Sequence, residues 1–156
     1  MSDSYPSAET LVSPAILALL GGPGVIDRPS RRRTAQRGRS LAGSFRLKYA
    51  AVENLGEFLG KSAAALMRFI EANERTAQRR KEQGTLTPEE SDRIARIARV
   101  TQRAIEAFGN RAQAREWLTR PNRALQGFAP LGLLATDAGA SLVTDELGRI
   151  ETGDLY

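Results

Sequence analysis

Thr87-Pro88-Glu89-Glu90 is the strongest structural instruction in this chain. The threonine hydroxyl can take a free backbone amide, the proline suits the first helical position, and the glutamate three residues on can reach back to the threonine amide. A long helix must follow. Ile94, Ile97, Ala98, Thr101, Ala104, Ile105 and Phe108 keep three- and four-residue spacing until Gly109 stops it. An apolar stripe of that length cannot remain in water, so other helices have to cover it.

The rest of the chain supplies them. Leu47, Ala51, Leu55, Phe58 and Leu59 show helical spacing from about Phe45 to Gly60, and Ser62 then caps a short apolar helix through Leu66, Met67, Phe69 and Ile70. After a turn near Ala72 and Asn73 comes a polar, basic helix from Glu74 to Glu82, stopped by Gly84. Two short helices joined by a brief turn form a helix-turn-helix pattern. Beyond Gly109, Asn110 caps a helix carrying Ala114, Trp117 and Leu118. Pro130 opens a brief one through Leu131, Leu133 and Leu134, and Thr136-Asp137 starts a last helix broken at Gly153. In that last helix Ala138, Leu142, Val143, Leu147 and Ile150 are expected to point inward. No strand pair and no internal repeat is legible, and aromatics are only 6% of the residues, so an all-α fold is expected.

The N-terminal part reads differently. Ser13-Pro14 and the run Ala15 to Leu20 make at most two helical turns before Gly21, too short to be stable alone. That run docks on the rest of the chain, pairs with a second copy, or stays disordered. Pro23 through Ser40 mixes Pro, Gly and Ser with Arg28, Arg31, Arg32, Arg33, Arg37 and Arg39 and has no apolar period, which reads as a flexible basic arm.

Charge is unevenly spread. Residues 28 to 48 carry eight bases and no acids, whereas 124 to 156 carry one base and five acids. A basic middle and an acidic end point to two different partners, one polyanionic and one cationic. The apolar run is far too short to cross a bilayer, and only Asp3 and Glu9 precede it where a signal peptide would need positive charge, so a cytoplasmic protein without membrane attachment is expected.

With no cysteine and no histidine, the chain lacks disulfides, thiol nucleophiles, Cys/His zinc ligands and histidine-dependent triads. The adjacent carboxylates Glu89/Glu90 and Asp145/Glu146 diverge by about 100° on a helix and do not converge on a substrate. Gly21-Gly22-Pro23-Gly24 lacks the preceding strand and the Gly-Lys-Ser/Thr ending of a phosphate loop. No enzyme, no metal and no cofactor is expected. The basic helix offers Arg75, Thr76, Gln78, Arg79, Arg80 and Lys81 to the major groove of DNA, with the arm adding phosphate or minor-groove contacts; a solvated helix face is the competing reading.

Several blocks resemble the Xre/MbcA/ParS antitoxins of type II toxin–antitoxin pairs. They are Thr85-Leu86-Thr87-Pro88-Glu89-Glu90-Ser91-Asp92-Arg93, Ala107-Phe108-Gly109, Trp117-Leu118, Pro121-Asn122, Pro130-Leu131, Leu133-Leu134-Ala135-Thr136, Gly139-Ala140 and Leu147-Gly148-Arg149-Ile150-Glu151-Thr152-Gly153. Gly60-Lys61-Ser62, Glu74-Arg75-Thr76 and Arg79-Arg80 look like that family's Xre-like helix-turn-helix half. The resemblance implies an antitoxin that silences a RES-domain, NAD-using toxin by pushing its C-terminal end into the toxin's active-site cleft, while the helix-turn-helix half supports homodimerisation and operator binding. The toxin-binding residues so implied are Leu147, Arg149, Ile150, Glu151, Thr152 and Gly153, with the final Asp154, Leu155 and Tyr156 departing from the family's usual ending. Glu151, Asp154 or the terminal carboxylate would meet cleft arginines, and Leu147, Ile150, Leu155 and Tyr156 would anchor them.

The expected organisation is therefore a basic arm with a short apolar helix over 1–43, a helix-turn-helix domain over 44–85 and a toxin-binding domain over 86–156. A free-standing helix-turn-helix regulator with a C-terminal dimerisation domain is the rival.

Overall fold

The computed structural model describes residues 12–27, 46–70 and 72–154. The arginines of the basic arm and the plug residues Leu155 and Tyr156 lie outside the described residues. Eight α-helices run through the rest: α1 Pro14–Leu20, α2 Tyr49–Leu59, α3 Ala63–Phe69, α4 Glu74–Gln83, α5 Pro88–Phe108, α6 Arg111–Thr119, α7 Pro130–Leu133 and α8 Asp137–Thr152. The expected all-α class is therefore observed, and the helices share one contiguous apolar core that reaches from Val12 to Leu147.

Helix α5 is the axis of the molecule, as its capping box and stripe require. Thr87 Oγ1 accepts from the Glu90 amide at 3.2 Å and Glu90 Oε2 accepts from the Thr87 amide at 2.9 Å. Ile94, Ile97, Ala98 and Ala104 are fully buried against helices packed on either side. Helices α6 and α8 cover the C-terminal part of α5, and α1 covers another flank. The short helix α1 docks on α2 and α5, burying Ile16, Leu17, Leu19 and Leu20, which decides between the two ways its apolar run could be covered. Asn54 Nδ2 donates to the Leu20 carbonyl at 3.0 Å and closes the end of α1. Gly21 must adopt φ 106° there, and a Cβ would stand 2.1 Å from that same Asn54 nitrogen, so the corner admits only glycine.

Two expectations about local structure are corrected. A strand pair does exist: β1 Ile26–Asp27 runs antiparallel to β2 Arg46–Leu47, with Ile26 opposite Leu47. A two-residue ladder joining positions some twenty residues apart leaves no period in the sequence. The helix expected from Phe45 consequently starts only at Tyr49. The Leu47 amide donates to Ser91 Oγ at 2.9 Å and its carbonyl accepts from Leu86 at 2.9 Å, so this strand is stitched to the start of α5.

The second correction concerns α8. Gly139, Val143, Glu146 and Leu147 face inward, whereas Ala138 and Leu142 face solvent, Leu142 with 57% of its surface exposed. The phase is set by Gly139, where a Cβ would come within 1.9 Å of the Leu133 carbonyl oxygen. Only a residue without a side chain lets α8 lie this close to α7, and the inward face is then the one at four-residue steps from Gly139. Among the described residues no helix is long and apolar enough to cross a membrane.

Candidate functional site

Helices α3 and α4 pack together as a helix-turn-helix pair, each opened by a side-chain cap: Ser62 Oγ accepts from Ala65 at 3.1 Å and Asn73 Oδ1 from Thr76 at 2.8 Å. The six residues of α4 proposed for DNA do not share one face. Arg80 is held by the fold: its Nε lies 2.7 and 3.0 Å from the two Glu90 oxygens, Nη1 donates to Gln83 at 2.9 Å, and both charged side chains are only 13% exposed. Since Glu90 is also the back-reaching arm of the α5 capping box, Arg80 clamps α4 to the start of α5 rather than projecting outward. That sets Arg80 apart from the exposed residues of the same helix.

Gln78 and Lys81 turn another way. They line a cavity of about 470 Å³ between α2 and the α3–α4 pair whose other walls include Glu53, Glu57 and Glu74. Gln78 Nε2 also donates to Glu82 at 3.0 Å. Tyr49 lines the same cavity, and its phenol is raised above the usual 10.0 first by burial and then by the negative charge of Glu53. Lys61 shares this lining, so three carboxylates face two lysines and the side is mixed in charge. Thr76 is half-buried at the start of the helix. Arg75 and Arg79 remain: both are exposed, one turn apart, and neither forms a hydrogen bond or ion pair with a described residue. Free guanidinium groups on one face of the second helix are what major-groove contact requires.

The C-terminal candidates divide in the same manner. Leu147 is fully buried and belongs to the core, so its side chain is not available as an anchor for another protein; its four-residue step from Val143 dictates this. Ile150 is half-buried against the same core. Arg149 Nη1 sits 3.0 Å from the buried carboxylate of Glu146, and Glu151 Oε2 accepts from Arg103 of α5 at 2.7 Å. Helix α8 then closes on Gly153 at φ 73°, with the Gly153 and Asp154 amides donating to the Ile150 and Arg149 carbonyls at 3.3 and 3.1 Å. Thr152 Oγ1 donates to Asp154 at 3.0 Å, so even Asp154 leaves the helix in a defined direction.

Between α5 and α8 lies a second cavity of about 470 Å³. Arg96, Arg99 and Arg103 form one wall, at the spacing that keeps them on one face of α5, and Asp137, Ser141 and Asp145 lie opposite. Arg96 pairs with Asp137 at 2.6 Å, Arg103 pairs with Glu151, and Arg99 between them forms no ion pair with a described residue. The three- and four-residue spacing of Arg96, Arg99 and Arg103 on one side of α5 is legible in the sequence; the acids of α8 facing them are set by the fold. No cluster of three or more potential metal ligands occurs among the described residues.

The α3–α4 pair, together with the further helices packed along α5, defines an all-helical protein with a helix-turn-helix. Residues 42–99 match the antitoxin Xre-like helix-turn-helix domain, and residues 103–153 match the antitoxin Xre/MbcA/ParS C-terminal toxin-binding domain. Antitoxin Xre of Yersinia enterocolitica is 33% identical over 123 residues, covering 76% of this chain and 83% of that protein. Antitoxin Xre of Photorhabdus laumondii is 42% identical over 71 residues, covering 45% of this chain and 48% of the relative. The protein of the same name from Pseudomonas putida is 37% identical over 68 residues, or 44% of this chain and 43% of the relative. The chain belongs to the Xre/MbcA/ParS antitoxin family. It is an antitoxin carrying a helix-turn-helix domain, and not an enzyme.

Proposed function

We propose that this antitoxin neutralises a RES-domain toxin that consumes NAD, by occluding the toxin's active site with its C-terminal segment, and that as a homodimer it represses its own operon through α4. The carrying observation is the end of α8. Gly153 stops the helix where the matched toxin-binding region ends, and Asp154 beyond it accepts a hydrogen bond from Thr152. A cleft that holds the NAD pyrophosphate must present cations, and residues 124 to 156 bring five acids against one base.

The ion pairs of Glu151 and Arg149 narrow the plug. Those two side chains are already engaged within the antitoxin, which leaves Asp154, Leu155 and Tyr156 as the reaching end. For DNA, the reading rests on Arg75 and Arg79. Co-expression with the toxin encoded beside this gene provides the test. Protection of the cell by the full chain is expected, with loss of protection when residues 154–156 are removed. Full protection by the shortened chain would contradict occlusion.

A further inference from the structure

Among the described residues, two large hydrophobic side chains stand mostly in water: Phe128 at 58% and Leu142 at 57% exposure. Both fall inside residues 103–153, the part matched as toxin-binding. We infer that Phe128 and Leu142 are the apolar anchors by which this antitoxin grips the body of its toxin, outside the cleft that the C-terminal segment is proposed to fill. The inference rests on the proposed toxin partnership and assigns its interface.

Phe128 is not a frayed loop residue. The Asn122 carbonyl accepts from the Leu125 and Gly127 amides at 3.1 and 2.8 Å, and the Phe128 amide donates to Leu125 at 3.0 Å. The Phe128 carbonyl accepts in turn from Asn122 at 3.1 Å, closing the turn on itself. Holding it requires positive φ at two consecutive residues, Gln126 at 57° and Gly127 at 84°, the first a rare conformation for a residue with a side chain. Pro130 and Leu131, immediately after, are buried. A strained, self-bonded turn therefore keeps an aromatic ring in solvent between the buried Leu125 and the buried Pro130 and Leu131, which is how a preorganised anchor is built.

Leu142 is fixed as firmly. It belongs to the outward stripe Ala138, Leu142, Asp145, Arg149 and Thr152, whose members are exposed and recur at three- and four-residue steps. That stripe leads directly to Asp154 and the proposed plug. The turn over residues 123–125, which begins the Phe128 loop, packs on the same helix α8. An aromatic and an aliphatic anchor suit a protein surface and not a phosphate backbone. The toxin, rather than a second copy of this chain, is the occupant because the surface runs continuously into the end that the toxin cleft is proposed to receive.

The test is calorimetric titration of the purified toxin encoded beside this gene with wild-type chain, Phe128→Ser, Leu142→Ser and the double variant. Light scattering and thermal melts accompany each. Each single change is expected to weaken binding about tenfold or more and the double change at least about a hundredfold, with melting temperature and oligomeric mass unchanged. Phe128→Tyr and Leu142→Met, which keep the apolar bulk, should retain wild-type affinity. Wild-type affinity in the double serine variant overturns the anchoring while leaving the toxin partnership intact. A dimer that falls to monomers on substitution, with toxin affinity kept, also overturns it by assigning the surface to a second copy. Absence of binding by the wild-type chain overturns the partnership itself, and the anchoring with it.

Discussion

Helices α4 and α8 both carry charged residues proposed for recognition, and they treat those charges differently. On α4 the network is internal on one side and open on the other: Arg80 is locked to Glu90, whereas Arg75 and Arg79 have no described partner. On α8 the charged residues nearest the end are consumed by the fold, Arg149 by Glu146 and Glu151 by Arg103, and what is left open is an apolar anchor and a short tail. The contrast teaches that a residue's charge does not say whether it is free to meet a partner. A cation held within hydrogen-bond distance of a carboxylate has already lost its mobility and much of its hydration, so it contributes to shape and little to recognition.

Substitutions can break this comparison, beginning with the scaffold that both helices share. Gly139→Val puts a branched side chain where the Leu133 carbonyl leaves no room for a Cβ, and should cost about 3 kcal/mol or more in urea unfolding. Because the core is continuous, α4 and α8 are expected to lose structure together in one transition. Arg80→Ala strands the largely buried Glu90 side chain and should cost about 2 kcal/mol by the same measurement. It sharpens the distinction within α4, since Arg79→Ala should leave stability within about 0.5 kcal/mol of wild type.

Operator affinity is expected to reverse that order. Arg75→Ala and Arg79→Ala should each weaken binding about tenfold in gel shifts and lower the salt slope by about one unit. Unchanged shifts would reassign α4 to packing or dimerisation. The smallest effect is expected at Glu151→Gln: its pair with Arg103 is partly exposed, so the loss should be about 0.5 kcal/mol or less and should fade in high salt.

Much of this arrangement was readable from residues alone because its signals are local. The Thr87–Glu90 box, the caps Ser62 and Asn110, and the glycine stops at 60, 84, 109 and 153 all appear where side-chain chemistry puts them. Features fixed by distant contacts were not readable. The Ile26–Leu47 pairing depends on a long connection closing, and Arg80 looked like its neighbours until Glu90 was folded against it. In α8, Leu142 and Val143 are adjacent leucine-like positions that one stripe cannot both hold, and only the close approach at Gly139 chooses Val143.

NAD turnover by the toxin, measured as the antitoxin is titrated in, tests the occlusion most directly when the full chain is compared with a chain ending at Gly153. The account predicts that the full chain stops turnover at saturation, while the shortened chain still binds through its folded body but leaves the toxin turning over. Complete inhibition by the chain ending at Gly153 would contradict it.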